Sequence, residues 1–114
     1  MEPLRRRFLA LADENRLRTL LILHEAGELC LCHLEQLLDI AASSASRHLG
    51  LLRDAGLVES RKDGRWVYFR PASGEGALWL EWLAGRPEAL AVLPAIREKV
   101  AEFKRANGEG SCPN

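Results

Sequence analysis

No apolar run in this sequence approaches the roughly 20 residues that a membrane-spanning helix needs. The opening residues, MEPLRRRFLALADENR, lack the apolar core of a secretory signal. The protein is therefore expected to be cytoplasmic and to have no membrane partner. Net charge is absent as well, since 16 Lys and Arg balance 16 Asp and Glu. Any charged surface must then come from local clustering. Cysteine is scarce, with three residues. In a reducing compartment such thiols read as ligands or reactive groups before they read as disulfides. There is no Cys-x-x-Cys motif, no βαβ frame and no evident general base beside the thiols, which counts against a small thiol-dependent reductase or other enzyme. There is no internal repeat, and 114 residues suffice for one domain with a modest core.

What is present is concentrated between Ile40 and Tyr68. A small-residue turn, Ile40 to Ala42, leads into an amphipathic helix in which Ala45, Leu49 and Leu52 share a face. Ser43 or Ser44 is the expected N-cap, because a serine oxygen accepts from a free amide of the first turn. Ser43, Ser44, Ser46, Arg47, His48 and Arg53 are read as lying off the apolar stripe. Gly56 suits a left-handed terminus, so the helix should stop near Ala55. Two strand-like runs follow, 57–61 and 65–69, joined at Lys62-Asp63-Gly64 as a hairpin. Arg61, Lys62 and Arg65 cluster at its tip. Between Ser43 and Arg70 there are six basic and three acidic side chains, a surplus of three in a neutral chain. A polar helix backed by a cationic hairpin suits the phosphates of double-stranded DNA. The expected fold is mainly α with a small β-hairpin, a winged helix-turn-helix.

The flanking residues complete one domain, expected over 1–106, with a flexible tail at 107–114. A first helix, Pro3 to Leu11, carries the stripe Leu4, Phe8 and Leu11, with Arg5, Arg6 and Arg7 read as mostly solvated. Asp13 or Asn15 caps a second, strongly apolar helix that ends at Ala26-Gly27. His24, near its end, reads as a helix-end group rather than a ligand. A third helix should run from about His33 to Asp39. After a break at 71–76, a helix is expected over 77–83 and a long one over 88–103, with Pro94 kinking or restarting it. The apolar stripes of these last helices exceed what one small domain requires, so a homodimer is expected, matching a two-fold DNA site. Trp66 and Tyr68 are expected to pack the wing on the core.

Cys30-Leu31-Cys32 carries the remaining chemistry. On an ideal helix two thiols at this spacing diverge by about 200°. On an extended backbone they share a face. They stand at a helix entrance, where the backbone can still be extended and the helix N-terminus favours thiolate. Soft ions such as As(III), Sb(III), Cd(II) or Pb(II) would select such a pair. The alternative is a pair of small buried apolar residues.

SRHLGLLRDAGLVESRKDGRWVYFR, with LADENRLRTLLILHEAGELCLCHLEQLL upstream, resembles the signature of the ArsR/SmtB winged-helix repressors over about Leu4 to Pro71. ELCLCHL resembles the ELCVCDL box of the arsenic-sensing branch. The resemblance implies a metalloid-responsive repressor, dimeric through its first and last helices, that leaves its operator when As(III) or Sb(III) binds Cys30 and Cys32. It implies no organic cofactor. The sequence departs from that branch in two places. Glu35 stands where some members have a third cysteine, and His33 stands where an aspartate is usual. Cys112 is then a candidate third sulfur, with an exogenous thiol or two-sulfur binding as alternatives. By position, the DNA contacts implied are Ser43, Ser44, Ser46, Arg47, His48, Arg61, Lys62 and Arg65. Ala41 and Ala42 replace polar residues common in the family's turn. Residues 77–105 hold no histidine, so the zinc site of another branch is not expected. The cadmium- and lead-sensing members add cysteines from an N-terminal arm, and none precedes Cys30 here. A redox switch between Cys30 and Cys32 is a further reading, opposed by the strained ring that residues two apart would close.

Overall fold

The computed structural model describes residues 1–107. Six helices surround a three-stranded antiparallel sheet. In chain order these are α1 (Glu2–Leu11), α2 (Glu14–Ala26), β1 (Leu29–Cys30), α3 (Leu31–Leu38), α4 (Ala42–Asp54), β2 (Val58–Asp63), β3 (Trp66–Pro71), α5 (Glu75–Ala84) and α6 (Pro87–Asn107).

The core is built around α2, which touches the other five helices and β3. Asp13 caps it by accepting from the Arg16 amide at 3.1 Å, and that bond holds the carboxyl below its ordinary value of 3.8. Thr19, Leu20, Leu21, Ile22 and Leu23 are all buried. Thr19 would be an unsatisfied polar group there, but its hydroxyl donates to the Asn15 carbonyl at 2.7 Å. Leu34 and Leu37 of α3, Leu49 and Leu52 of α4, and Leu57 join the α2 leucines in one buried cluster.

Arg7 and Arg16 fix α1 to α4 and α2. Arg16 Nε donates to the Ala10 carbonyl at 2.7 Å and its Nη2 to the Leu9 carbonyl at 3.2 Å, satisfying the end of α1. Arg7 Nε donates to the Ala55 carbonyl at the end of α4, while its Nη1 pairs with Glu75 at 3.1 Å. Arg7 is thus not solvated like Arg5 and Arg6; only 18% of its side chain is exposed. Gly56 ends α4 with φ 75°, as its position implied. Gly76 lets the start of α5 approach closely, since a Cβ there would collide with the Gly56 carbonyl.

Several boundaries moved. α4 starts at Ala42 with Ala41 as N-cap, and neither Ser43 nor Ser44 caps it. Asp39 adopts a left-handed conformation with φ 53°, so the chain turns early and the serines fall inside the first turn. α6 continues through Pro94 instead of restarting. α3 begins at Leu31, two residues before His33, because Leu29 and Cys30 pair with the sheet and Cys30 takes the N-cap position. The hairpin is therefore the larger part of a three-stranded sheet ordered β1-β3-β2. Asp63 pairs with Trp66 across the wing turn, and Gly64 within it has φ 62°.

Candidate nucleic-acid interface and thiol site

The candidate reading face is α4 with the β2–β3 wing. Ser43, Ser44, Ser46 and Arg47 are exposed on α4. His48 is not with them. It is 8% exposed, on the same stripe as Ala45, Leu49 and Leu52. Position 48 is three residues after Ala45 and four before Leu52, which puts it on the inner face. Its Nδ1 lies 3.1 Å from Arg16 Nη1 and 4.0 Å from Asp13. The expected outward place for His48 is therefore corrected: it ties α4 to the cap of α2.

Lys62 and Arg65 are exposed on the wing, with the Arg65 guanidinium 5.0 Å from the Trp66 ring centroid. Arg61 is more committed. It makes a 2.6 Å ion pair with Glu28 and stands 4.4 Å over the Tyr68 ring. That hydrogen bond from Arg61 holds Glu28 below its ordinary value of 4.5, and the same bond raises the Arg61 guanidinium. Trp66 and Tyr68 are half-buried, each with a guanidinium on its face.

The thiols sit where the sheet becomes the helix-turn-helix. Cys30 pairs with Tyr68 in the sheet and has an extended backbone, φ −81° and ψ 163°. Cys32 is already the second residue of α3. The shared extended face expected for the pair is thus only half realised. The turn from strand to helix nevertheless brings the side chains together. The Cα atoms are 5.5 Å apart and the two sulfurs are joined as a disulfide. That Cα separation lies inside the usual range for disulfides. When the bond is reduced, the same approach lets both thiolates meet one ion. Cys30 is buried and Cys32 half-buried, at a helix N-terminus whose amides favour the anion. Cys112 lies outside the described residues.

His33 was read only as a departure from a pattern. It is fully buried, and a ligating atom of His33 lies with both sulfurs in a cluster whose members are all within 4.8 Å of one another. Cys30 is the N-cap and His33 the third residue of α3, so both stand at one helix start.

A third feature lies away from both sites. Phe8, Leu11, Leu17, Trp82, Leu83 and Val92 are among the residues lining a groove of about 590 Å³ between α1, α2, α5 and α6. Phe8, Leu78, Trp82 and Leu90 are exposed.

Over residues 13–60 the chain matches the family described as bacterial regulatory protein, arsR family. It is 52% identical over 63 residues to the arsenical resistance operon repressor of Escherichia coli, covering 55% of this chain and 54% of that one. Across four such arsenical-resistance relatives the chain spans about half of their length. It is 36% identical over 106 residues to the arsenical resistance operon repressor of Bacillus subtilis, covering 93% of this chain and 86% of that one. Its fold is similar to reduced HlyU from Vibrio cholerae, with a TM-score of 0.63, 32% identity, and coverage of 73% and 86%. A family match across the helix-turn-helix, a relative aligned nearly end to end and a shared winged-helix fold lead to one conclusion: the chain belongs to the arsR family of bacterial regulatory proteins.

Proposed function

We propose that the protein is a cytoplasmic, homodimeric transcriptional repressor. It binds double-stranded operator DNA and releases it when As(III) or Sb(III) binds the thiolates of Cys30 and Cys32. The names of its relatives support the metalloid class. One observation carries the mechanism: the two thiols occupy the joint between β1 and α3. Drawing them onto one ion moves the first helix of the helix-turn-helix at its root. The pull also reaches the wing, because Cys30 pairs with Tyr68 of β3 and Glu28, just upstream, holds Arg61 of β2. To release DNA the ion must bind the low-affinity arrangement more tightly than the high-affinity one. Ser43, Ser44, Ser46 and Arg47 are the proposed contacts from α4, with Lys62 and Arg65 on phosphate from the wing. Arg61 joins them only by giving up part of its carboxylate partner. The dimer surface is the exposed apolar face of α1, α5 and α6; the domain proposed over 1–106 closes with α6, which runs through Asn107, and the rest of the tail expected at 107–114 lies outside the described residues.

Fluorescence anisotropy with operator DNA, under reducing conditions, tests this. Arsenite is expected to release the wild type and to leave a Cys30→Ser/Cys32→Ser variant bound. Equal release of both proteins would show that these thiols are not the sensor.

The Cys30–Cys32 bond favours a second reading, a thiol redox switch. In that case an oxidant alone, without any metalloid, releases the wild type, and a dithiol reductant restores binding.

A further inference from the structure

Cys30 is the partner of Tyr68 in the ladder between β1 and β3, and Arg61 is the partner of Tyr68 in the ladder between β2 and β3. Residues opposite one another in antiparallel ladders share a face, so Cys30, Tyr68 and Arg61 form one rung across the sheet. The rung runs from a buried thiol through a half-buried ring to an exposed guanidinium, which stands 4.4 Å over that ring. Glu28 holds the outer end of the rung. Arg61 Nε donates to its two carboxylate oxygens at 3.2 and 3.0 Å, and Nη2 donates to one of them at 2.6 Å. Only Leu29, fully buried, separates Glu28 from Cys30. A displacement of the Cys30 backbone is therefore passed to the carboxylate that grips Arg61.

We propose that Glu28 is a positioning residue that decides whether Arg61 is available to DNA. The guanidinium edge formed by Nε and Nη2 fits a phosphate as well as a carboxylate. A carboxylate on that edge takes its donors and cancels its charge, so Arg61 meets phosphate by exchanging Glu28 for it. The pair is open enough to exchange in water: 50% of the Arg61 side chain and 29% of the Glu28 side chain are exposed. Exposed ion pairs are weak, and a phosphate that sheds its counterions competes with one. In the described arrangement the sulfurs of Cys30 and Cys32 are joined and Arg61 is closed on Glu28. Sulfurs drawn together go with the withheld Arg61, and parted thiols with the Arg61 that DNA takes. This role rests on the reading of Cys30 and Cys32 as the sensor, and it names the residue through which the wing responds.

The test is fluorescence anisotropy of the full chain with operator DNA, reduced, with and without arsenite. Four proteins form a double-mutant cycle: wild type, Glu28→Gln, Arg61→Ala and the pair together. Arg61→Ala is expected to weaken binding and to make the salt dependence shallower by about one unit per subunit. Glu28→Gln is expected to tighten binding up to about fivefold per subunit, the range of an exposed ion pair. In the Arg61→Ala background the same substitution should change nothing. Arsenite should still bind Glu28→Gln stoichiometrically, but the ratio of operator affinities without and with arsenite should shrink by a similar factor. Arg61→Lys keeps the charge, loses the fork and reads the same clamp from its other end, so a Glu28 variant that fails to fold leaves the test intact. Its arsenite ratio should also fall below that of the wild type. If Arg61→Ala binds operator like the wild type, Arg61 never leaves Glu28 and the proposal is overturned. If Glu28→Gln tightens binding equally with and without Arg61, Glu28 acts only as a nearby charge and the proposal is overturned. If arsenite releases wild type and Glu28→Gln by the same factor, the thiols act by another route; the proposal falls and the thiol reading stands. If arsenite does not release even the wild type, the thiol reading falls and this role with it.

Discussion

The face of α4 and the wing presents Ser43, Ser46, Arg47, Lys62 and Arg65 to solvent, while the face of α1, α5 and α6 presents Phe8, Leu78, Trp82 and Leu90. Both are exposed, for opposite reasons. The first is hydrated and charged, stable in water and ready to exchange counterions for phosphates. The second is apolar, and contiguous apolar surface of this kind marks an association site. The stiffness behind each face also differs. Arg47 is held by a helix pinned at both ends, through His48 to Arg16 and through the Ala55 carbonyl to Arg7. Phe8 and Trp82 are each 58% exposed; Phe8 meets Trp79 edge-on at 5.3 Å and Arg86 stands 5.3 Å from the Trp82 ring. A reader of DNA needs rigidity before its partner arrives. A self-associating face acquires rigidity from the second copy.

The largest effect is expected from the apolar face. Trp82→Glu places a charge where the partner copy would bury a 58% exposed indole. An aromatic anchor of this kind contributes about 2 kcal/mol or more, so self-association should weaken at least thirtyfold or so. Sedimentation across a concentration series measures it, with operator affinity falling in parallel. If Trp82→Glu associates like the wild type, the second face is not the dimer surface.

Arg47→Ala comes next and separates the two faces. Loss of a base or phosphate contact is expected to cost about 1–3 kcal/mol per subunit in operator binding, with association unchanged. Anisotropy at several salt concentrations should give a shallower salt dependence, by about one unit per lost phosphate contact. Full affinity in this variant would move the reading face elsewhere.

The smallest effect is expected from Asp13→Ala, which removes a helix cap worth about 1 kcal/mol, read by denaturant melts. Its pH dependence sharpens the point. Asp13 and Glu28 both titrate below their ordinary values in the folded chain, the first through the Arg16 amide and the second through Arg61. A depressed carboxyl stabilises the fold above its unfolded pKa, and that contribution is lost as pH falls through the folded value. Stability should hold from neutrality to about pH 4.5 and decline below it. Asp13→Ala should show a shallower decline than the wild type at the acid end.

The helix-turn-helix and wing were legible because each rests on local signals: the stripe of Ala45, Leu49 and Leu52, the stop at Gly56 and the turn at Gly64. β1 was not, because a two-residue strand has no periodicity; only its pairing of Leu29 with Phe69 and Cys30 with Tyr68 defines it. His48 was misplaced by its chemistry, since a polar residue reads as outward until a partner such as Arg16 makes burial affordable. Arg7 was lost in a run of three arginines, and its distinction depends on a carbonyl 48 residues away.

The sequence by itself determined the order and type of most elements, the cationic character of the reading face and the presence of two thiols beside the helix-turn-helix. These follow from spacing, turn chemistry and composition, which act over a few residues. Tertiary structure alone decided which groups meet: Cys30 with Cys32 across the strand-to-helix joint, His33 beside both, Glu28 with Arg61, and Arg7 with the end of α4. The Glu28 and Arg7 contacts join elements far apart in the chain, and the thiol contact depends on Cys30 lying in a sheet whose other strands come some 30 residues later. Pairings set by that packing leave no local pattern to read.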